Sequence, residues 1–203
     1  MNKVITIGRE FGSGGRELAR RLSEILGFEY YDSEVLAEIV RHTQLSENYV
    51  NEIVEGKSHR LYPITVEHTL STGFDYNIQR IQEIYSAQTE VIRDMAEKSD
   101  CVIVGRCADC ILRDNENIQL FRLFVYADIE SRMRRCYERA SEGESFTDKE
   151  LKKHIIRIDK ARASYYEDYT LQKWGSKANY DLCINTSNIS IEEIAPVIAK
   201  LFC

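Results

Sequence analysis

The chain has 203 residues, enough for one domain with a full hydrophobic core. Its composition, 43% hydrophobic and 30% charged, is typical of a globular protein, and the net charge of −6 argues against a general nucleic-acid-binding function. No apolar stretch approaches the roughly 20 residues of a membrane span, and the N-terminus lacks the apolar region of a signal peptide. We therefore expect a cytoplasmic protein without membrane contact.

Hydrophobic periodicity predicts short strands that alternate with helices. The strands are expected at 3–7, 28–31, 101–104, 121–126 and 181–184. The helices are expected at 16–26, 33–42, 46–55, 77–98, 128–140, 148–169 and 190–201, with an irregular segment at 56–76. This alternation indicates an α/β fold in which helices cover both faces of a parallel sheet. No repeat or linker interrupts the chain, so a single domain over 1–203 is expected.

A glycine-rich loop separates the first predicted strand from the first predicted helix. Glycines at 8, 12, 14 and 15 let the backbone approach an anion and turn its N–H groups inward. The following helix adds the positive end of its dipole. This arrangement predicts a cradle for the phosphates of a nucleotide. The expected phosphate-binding residues are Gly12, Ser13, Gly14, Gly15, Arg16 and Glu17.

The loop departs from the standard phosphate-loop pattern, in which Gly-Lys-Ser/Thr follows four spacer residues. The lysine slot falls on Gly15 and the hydroxyl slot on Glu17. Arg16 is the nearest cation, and Ser13 is the nearest hydroxyl. A tight turn that binds no ligand is therefore an alternative. If Mg²⁺ binds here, Ser13 and Glu17 are the candidate protein ligands, with water and phosphate oxygens as the others.

A second alternative arises because the loop also fits Gly-x-x-x-Gly-x-Gly, the turn of short-chain dehydrogenases. Asp32 would then be the ribose-binding acid after the second strand. Tyr169 and Lys173 have the Tyr-x-x-x-Lys spacing of that chemistry. Against this reading, no Asn-Ala-Gly-like stretch follows the fourth strand, and the basic segment 132–162 has no role in hydride transfer.

Two residues directly after predicted strands are candidates for the binding of a second substrate. Ligands of open α/β sheets bind beyond the carboxyl ends of the strands. Arg106 follows the third strand, and its planar fork of donors suits a phosphate, although a salt bridge near Asp109 is the alternative. Asp32 follows the second strand, where it could hold a ribose or base or cap the next helix.

The segment 132–162 is basic on an acidic protein. It holds ten Lys/Arg and six Asp/Glu, a net charge of +4, against −10 for the rest of the chain. Such a region suits a small polyanion and could supply the charge neutralisation that phosphoryl transfer needs. A polar loop at 141–148 between two helices that carry arginines is typical of a closing lid. The candidate cations are Arg132, Arg135, Arg139, Arg157, Lys160 and Arg162.

Several motifs resemble those of the cytidylate kinase-like family of phosphate-loop proteins. They are Ile-Gly-Arg-Glu-Phe-Gly-Ser-Gly-Gly-Arg-Glu-Leu-Ala, Tyr-Tyr-Asp32, Cys-Val-Ile-Val-Gly105-Arg106, Ile-Asp159-Lys160-Ala-Arg162-Ala-Ser-Tyr165-Tyr166 and Trp174-Gly175 with Tyr180-Asp-Leu-Cys-Ile-Asn185-Thr. The resemblance implies a P-loop NTPase fold with a five-stranded parallel sheet. It also implies a core at about 1–42 and 99–203, a monophosphate-binding lobe at about 43–98 and a lid at about 141–162.

The better-known members of that family transfer a phosphoryl group from ATP to CMP or dCMP with Mg²⁺. The resemblance implies ATP and Mg²⁺ as cofactors and a small nucleotide as substrate. The implied substrate-binding residues are Asp32, Arg106 and Asp159, the nucleotide contact is Arg132, and the catalytic cations are Arg157, Lys160 and Arg162. Arg16 is a further candidate catalytic cation, as a substitute for the missing loop lysine. Because the loop lysine and hydroxyl of those kinases are absent, either Arg16 and Glu17 replace them or the chain is a nucleotide-binding regulator without kinase activity.

Overall fold

Five parallel strands form one sheet in the computed structural model, which describes residues 1–54, 72–140 and 146–202. The strands are β1 (Asn2–Arg9), β2 (Glu29–Tyr31), β3 (Cys101–Val104), β4 (Ile118–Tyr126) and β5 (Leu182–Asn185), in the order β2-β3-β1-β4-β5. β1 is central and pairs in parallel with β3 and β4. Its residues 4–7 are fully buried, as expected for a strand that is covered on both faces.

Helices cover both faces of the sheet. They are α1 (Gly15–Leu26), α2 (Ser33–Thr43), α3 (Glu47–Val54), α4 (Thr72–Lys98), α5 (Ala108–Ile111), α6 (Ile129–Glu138), α7 (Asp148–Thr170) and α8 (Ile191–Ala199). Val4 of β1 packs in one core cluster with residues of α2, α3, α4 and α5. Ile5 and Ile7 pack in the other cluster with α1 and α8. The alternation along β1 therefore divides the core into two halves.

The predicted strands and helices are all present, with three differences. α4 begins at Thr72 rather than 77, so the prediction of irregular structure is wrong for 72–76. Gly73 weakened the helical pattern there, because an isolated glycine lowers helix propensity. β4 begins at Ile118, where it pairs with Asn2, and α5 is too short to produce a periodic signal. The predictions for 55–71 and for the lid loop at 141–145 lie outside the described residues.

The strand order excludes the dehydrogenase alternative. In the dinucleotide-binding fold, the second strand lies directly beside the first. Here β3 lies between β1 and β2, which is at the edge of the sheet. Tyr169, the tyrosine of that alternative, stacks on Tyr85 with ring centroids 4.3 Å apart and so takes part in core packing.

Candidate functional site

The glycine loop leaves β1 at Arg9 and enters α1 at Gly15. Gly12 and Gly14 have φ values of +76° and +84°, in the left-handed region that favours glycine. Gly14 is the N-cap of α1 and provides no side chain to cap the first turn. The amides of that turn have no acceptor within the helix, so they can bind an anion.

Close packing holds the loop in this shape. A Cβ atom at Gly12 would lie 2.9 Å from the carbonyl oxygen of Arg132, and one at Gly14 would lie 2.9 Å from the Cδ1 of Ile191. Ser13 is fully buried, and its hydroxyl donates to the carbonyl of Glu10 at 2.9 Å. The backbone of the loop at Gly12 and Gly14 therefore packs directly against α6 and α8, which leaves no room for a larger residue at either position.

Arg132, on α6, ties the start of the loop to a second helix. Its Nε donates to the carbonyl of Phe11 at 2.7 Å, its Nη1 lies 3.1 Å from Oε2 of Glu10, and its Nη2 pairs with Asp159 on α7. Asp159 also accepts the amide of Phe11 at 2.8 Å, and Glu10 accepts the amide of Ala127 at 3.1 Å. Each guanidinium nitrogen of Arg132 is thus engaged, and the network holds the loop in place.

Asp32 lies at the end of β2, beside the loop, and is buried. Its Oδ2 is 2.6 Å from Nε of Arg16, and its Oδ1 is 3.9 Å from Nη2 of Arg9. Its side chain makes no capping hydrogen bond to α2, although it occupies the N-cap position. The structure thus brings together the predicted residues Arg16 and Asp32 at the carboxyl edge of the sheet.

A pocket that is open to solvent lies beside the loop at the carboxyl ends of β1 and β3. Guanidinium groups from three elements line it: Arg9 from β1, Arg106 after β3 and Arg162 from α7. The aromatic residues around it are Tyr165, Tyr166, Trp174 and Tyr180. Three guanidinium groups around one pocket favour a ligand with a phosphate or another multiply charged anion.

Arg106 and Arg162 are positioned by contacts with the rest of the site. Arg106 has a φ of +57°, and its carbonyl oxygen accepts from Nε2 of the buried Gln88 at 3.0 Å. Gln88 in turn accepts the hydroxyl of Tyr165 at 2.9 Å. Arg162 donates to the carbonyl of Arg9 at 3.3 Å. The chain after β3 and the helix α7 are therefore connected to each other and to the end of β1.

Asp109 is a buried carboxylate in the wall of this pocket. Its Oδ2 accepts the hydroxyl of Tyr166 at 2.7 Å. Burial raises the pKa of Asp109 above its ordinary value of 3.8, while the hydrogen bond from Tyr166 acts in the opposite direction. Burial and the neighbouring Asp109 raise the pKa of Tyr166, so its hydroxyl stays protonated and donates.

Replacing Asp109 by Asn is expected to remove one contribution that lowers the stability of the fold as the pH rises. Because the pKa of Asp109 is raised in the folded state, the native protein binds this proton at a higher pH than the unfolded chain does. The carboxyl therefore lowers the free energy of unfolding as the pH rises through that window. Urea unfolding at several pH values between about 4 and 8 measures the effect. The exposed Asp114→Asn variant is the control, and an equal pH dependence in D109N and wild type would contradict the assignment.

The predicted cations of the basic segment are divided between the site and the surface. Arg157 and Lys160 are exposed, and Arg157 lies 3.2 Å from Nδ1 of His154. Arg135 donates to the carbonyl of Thr186, and Arg139 pairs with Glu17. Of the three predicted catalytic cations on α7, Arg162 lines the pocket, whereas Arg157 and Lys160 do not.

The two predicted magnesium ligands are engaged elsewhere. The Ser13 hydroxyl is buried and donates to a carbonyl, and Glu17 forms ion pairs with Arg21 and Arg139. Within 1–54, 72–140 and 146–202, the His, Cys, Asp and Glu side chains form no group of three or more that could hold a metal ion. Ser13 and Glu17 therefore do not form a preorganised Mg²⁺ site in this structure. A magnesium ion that arrives with a nucleotide would be held mostly by phosphate oxygens and water.

No binding role was predicted from the sequence for three residues of the site: Arg9, Glu10 and Asp109. Arg9 is the last residue of β1 and Glu10 follows it, whereas Asp109 lies five residues after the end of β3, in α5. The signal that could have identified Arg9 is its position directly after Gly8, at the carboxyl end of a buried strand. Glu10 and Asp109 become visible only through partners that are distant in sequence.

The sheet order, the glycine loop after the central strand and the cationic pocket beside it define the P-loop kinase fold. The structure is similar to a shikimate kinase from Bacteroides thetaiotaomicron, with 15% identity over 98% of each chain and a TM-score of 0.55. It is also similar to a shikimate kinase from Acinetobacter baumannii solved in complex with shikimate, with 15% identity, coverage of 100% of this chain and 93% of that chain, and a TM-score of 0.52. At these identities the likeness concerns the fold.

The sequence matches the cytidylate kinase-like family over residues 4–188, and the chain belongs to that family. An uncharacterized protein from Eubacterium ventriosum shares 29% identity over 98% of each chain, with a TM-score of 0.69. No protein of curated function matches the sequence. Within the described residues, no helix is both long and apolar enough to cross a membrane.

Proposed function

We propose that this protein transfers a phosphoryl group from ATP to a nucleoside monophosphate, with CMP or dCMP as the acceptor that the family suggests. One observation carries the proposal: the glycine loop adjoins a pocket lined by Arg9, Arg106 and Arg162. A phosphate-binding loop and a second cationic site at one sheet edge are what a donor and a phosphorylated acceptor require.

In this proposal the loop amides from Gly12 to Arg16 bind the phosphates of ATP. Arg106 and Arg162 bind the phosphate of the acceptor, and Asp32 orients Arg16. The lobe at about 43–98 covers the acceptor, and the lid at about 141–162 closes over the phosphates and excludes water. Mg²⁺ carried by the nucleotide would supply charge neutralisation on the phosphates, with water and phosphate oxygens rather than Ser13 or Glu17 as its ligands. We place this activity in the cytoplasm.

A coupled assay tests the proposal directly. The purified protein is incubated with ATP, Mg²⁺ and each of a panel of ribonucleoside and deoxyribonucleoside monophosphates, and ADP release is followed. We expect turnover with one or a few of the monophosphates, CMP and dCMP first. ADP release that does not depend on any monophosphate, or no release at all, would contradict the proposed reaction.

The second candidate is a nucleotide-binding regulator without kinase activity. It is favoured by Gly15 in the lysine slot and by Glu17, which stands in the hydroxyl slot and pairs with Arg21 and Arg139. Calorimetry with ATP separates the two candidates. Binding of ATP without turnover on any monophosphate would support the regulator, whereas turnover would exclude it.

Arg106→Ala is expected to weaken monophosphate binding more than ATP binding. The guanidinium lines the pocket rather than the loop, so its loss removes a charge-assisted contact with the acceptor alone. Such a contact is worth about 1.5–3 kcal/mol, or roughly ten- to a hundredfold in Kd. Calorimetry with each ligand measures the change, with Arg113→Ala as an exposed control. Equal weakening for both ligands would show that Arg106 acts on the fold of the site instead.

A further inference from the structure

Arg9 follows an unusual path across the site. It is the last residue of β1, and its side chain is only 12% exposed. A Cβ atom built on Gly15 would lie 2.5 Å from the Arg9 Cβ, and one built on Gly105 would overlap its Nη1. The side chain therefore runs from the loop to the end of β3, over two residues that have no side chain of their own.

This path explains why the loop has no lysine. Position 15 is the slot where the standard loop has lysine, and any side chain there would collide with the stem of Arg9. Because the nearest atom is the Cβ of Arg9, any residue other than glycine at 9 excludes a side chain at 15 in this backbone. The stem of Arg9 thus lies beside the empty slot, and its permanently charged guanidinium lies against Gly105, between the loop and the pocket.

We propose that Arg9 binds the phosphates of the nucleotide in place of the missing lysine. The inference rests on the proposed function, since it assigns a phosphate contact within that site. Asp32 is the neighbouring carboxylate, but its closer partner is Arg16, at 2.6 Å against 3.9 Å for Arg9. Asp32 thus pairs with both arginines, which places two positive charges and one negative charge at the edge of the loop.

The alternative is that Arg9 only stabilises the fold through Asp32 and its packing on the two glycines. The two roles predict different results when ligand binding and stability are measured in the same variants. A phosphate contact changes the affinity for ATP and ADP, whereas a structural contact changes the free energy of unfolding alone.

The first experiment compares ATP and ADP binding by calorimetry in the wild type, Arg9→Met and Arg20→Met. Methionine keeps the apolar stem and removes the charge, and Arg20 is an exposed arginine on α1. We expect Arg9→Met to weaken both nucleotides by about ten- to a hundredfold and Arg20→Met to leave them within a few-fold. If the wild type binds no nucleotide, the proposed function fails. If it binds and Arg9→Met binds equally well, only the inference about Arg9 fails.

The second experiment exchanges the two cations. Gly15→Lys alone should weaken ATP binding, because the new side chain collides with Arg9, and Arg9→Gly alone should weaken it because the cation is lost. The Arg9→Gly/Gly15→Lys double variant returns a cation to the site without the collision. We expect it to bind ATP at least about tenfold more tightly than either single variant. If the double variant loses as much binding free energy for ATP as the two single variants together, the inference is overturned.

A third variant moves Arg9 without changing its charge. Gly105→Ala places a methyl group against the guanidinium, whereas Gly27→Ala places one where no atom lies within 4 Å. Both glycines have a similar positive φ, +72° and +69°, so both variants place alanine in the left-handed region. We expect ATP affinity to fall about tenfold more in Gly105→Ala than in Gly27→Ala. Equal affinities in the two variants would contradict a phosphate contact from Arg9.

Discussion

Replacing Gly14 by Val is expected to lower ATP affinity at least about a hundredfold. At a φ of +84°, a β-branched residue is strained, and its Cβ would lie 2.9 Å from Ile191. The backbone at 14 must move, and the amides at the start of α1 move with it. Two lost amide–phosphate contacts, at about 1.5 kcal/mol or more each, account for that decrease.

Calorimetry with ATP measures this effect, and thermal unfolding confirms that the variant is folded. Gly27→Val is the matched control, because it has a similar φ of +69° in open space and lies at the far end of α1. We expect the control to lose stability but retain ATP affinity. A folded Gly14→Val protein with unchanged affinity would show that the loop does not bind the phosphates.

Replacing Arg132 by Leu is expected to lower the free energy of unfolding by about 3 kcal/mol. The variant leaves the carboxylates of Glu10 and Asp159 without their shared cation, in a region where the Arg132 side chain is 8% exposed. Removing one partner of a buried ion pair typically costs about 3–5 kcal/mol, and the partial exposure of Glu10 and Asp159 favours the lower end.

The loss should decrease as the pH falls. Burial raises the pKa of Glu10, while the Ala127 hydrogen bond and the Arg132 charge counteract it. Without Arg132 the pKa of Glu10 should rise further, so acid neutralises the unpaired carboxyl and removes part of the penalty. Urea unfolding measures both effects. Arg134→Leu, at an exposed position on the same helix, should change stability by less than about 0.5 kcal/mol. If Arg132→Leu also lowers the free energy of unfolding by less than about 0.5 kcal/mol, the Arg132 network contributes little to stability.

The Arg132 network changes the interpretation of two predicted ligand contacts. Arg132 was expected to contact the nucleotide and Asp159 the substrate. In the structure they contact each other and the backbone of Phe11, so they position the loop. Asp159 lies in the part of α7 that belongs to the segment proposed as the lid, so Arg132 connects that part of α7 to the loop.

Features that depend on neighbours in sequence were determined by the chain itself. The spacing of apolar residues indicated each strand and the long helices, since burial on one or both faces imposes a local period. The glycine spacing predicted a phosphate-binding turn, and Gly12 and Gly14 have the positive φ that favours glycine in such a turn. The position of Arg106 after β3 likewise follows from local order, and it does line the pocket.

Features that depend on distant pairs were decided only by the tertiary structure. The order of the strands follows from how the whole core packs, and it alone separates this fold from the dinucleotide-binding alternative. The sequence pattern around Arg132 is the same whether its side chain contacts a nucleotide or Glu10, which is 122 residues away in the chain. Arg9 fits only because Gly15 and Gly105 both lack a side chain beside it. Each of these outcomes depends on which groups share a buried volume, and local periodicity carries no information about that.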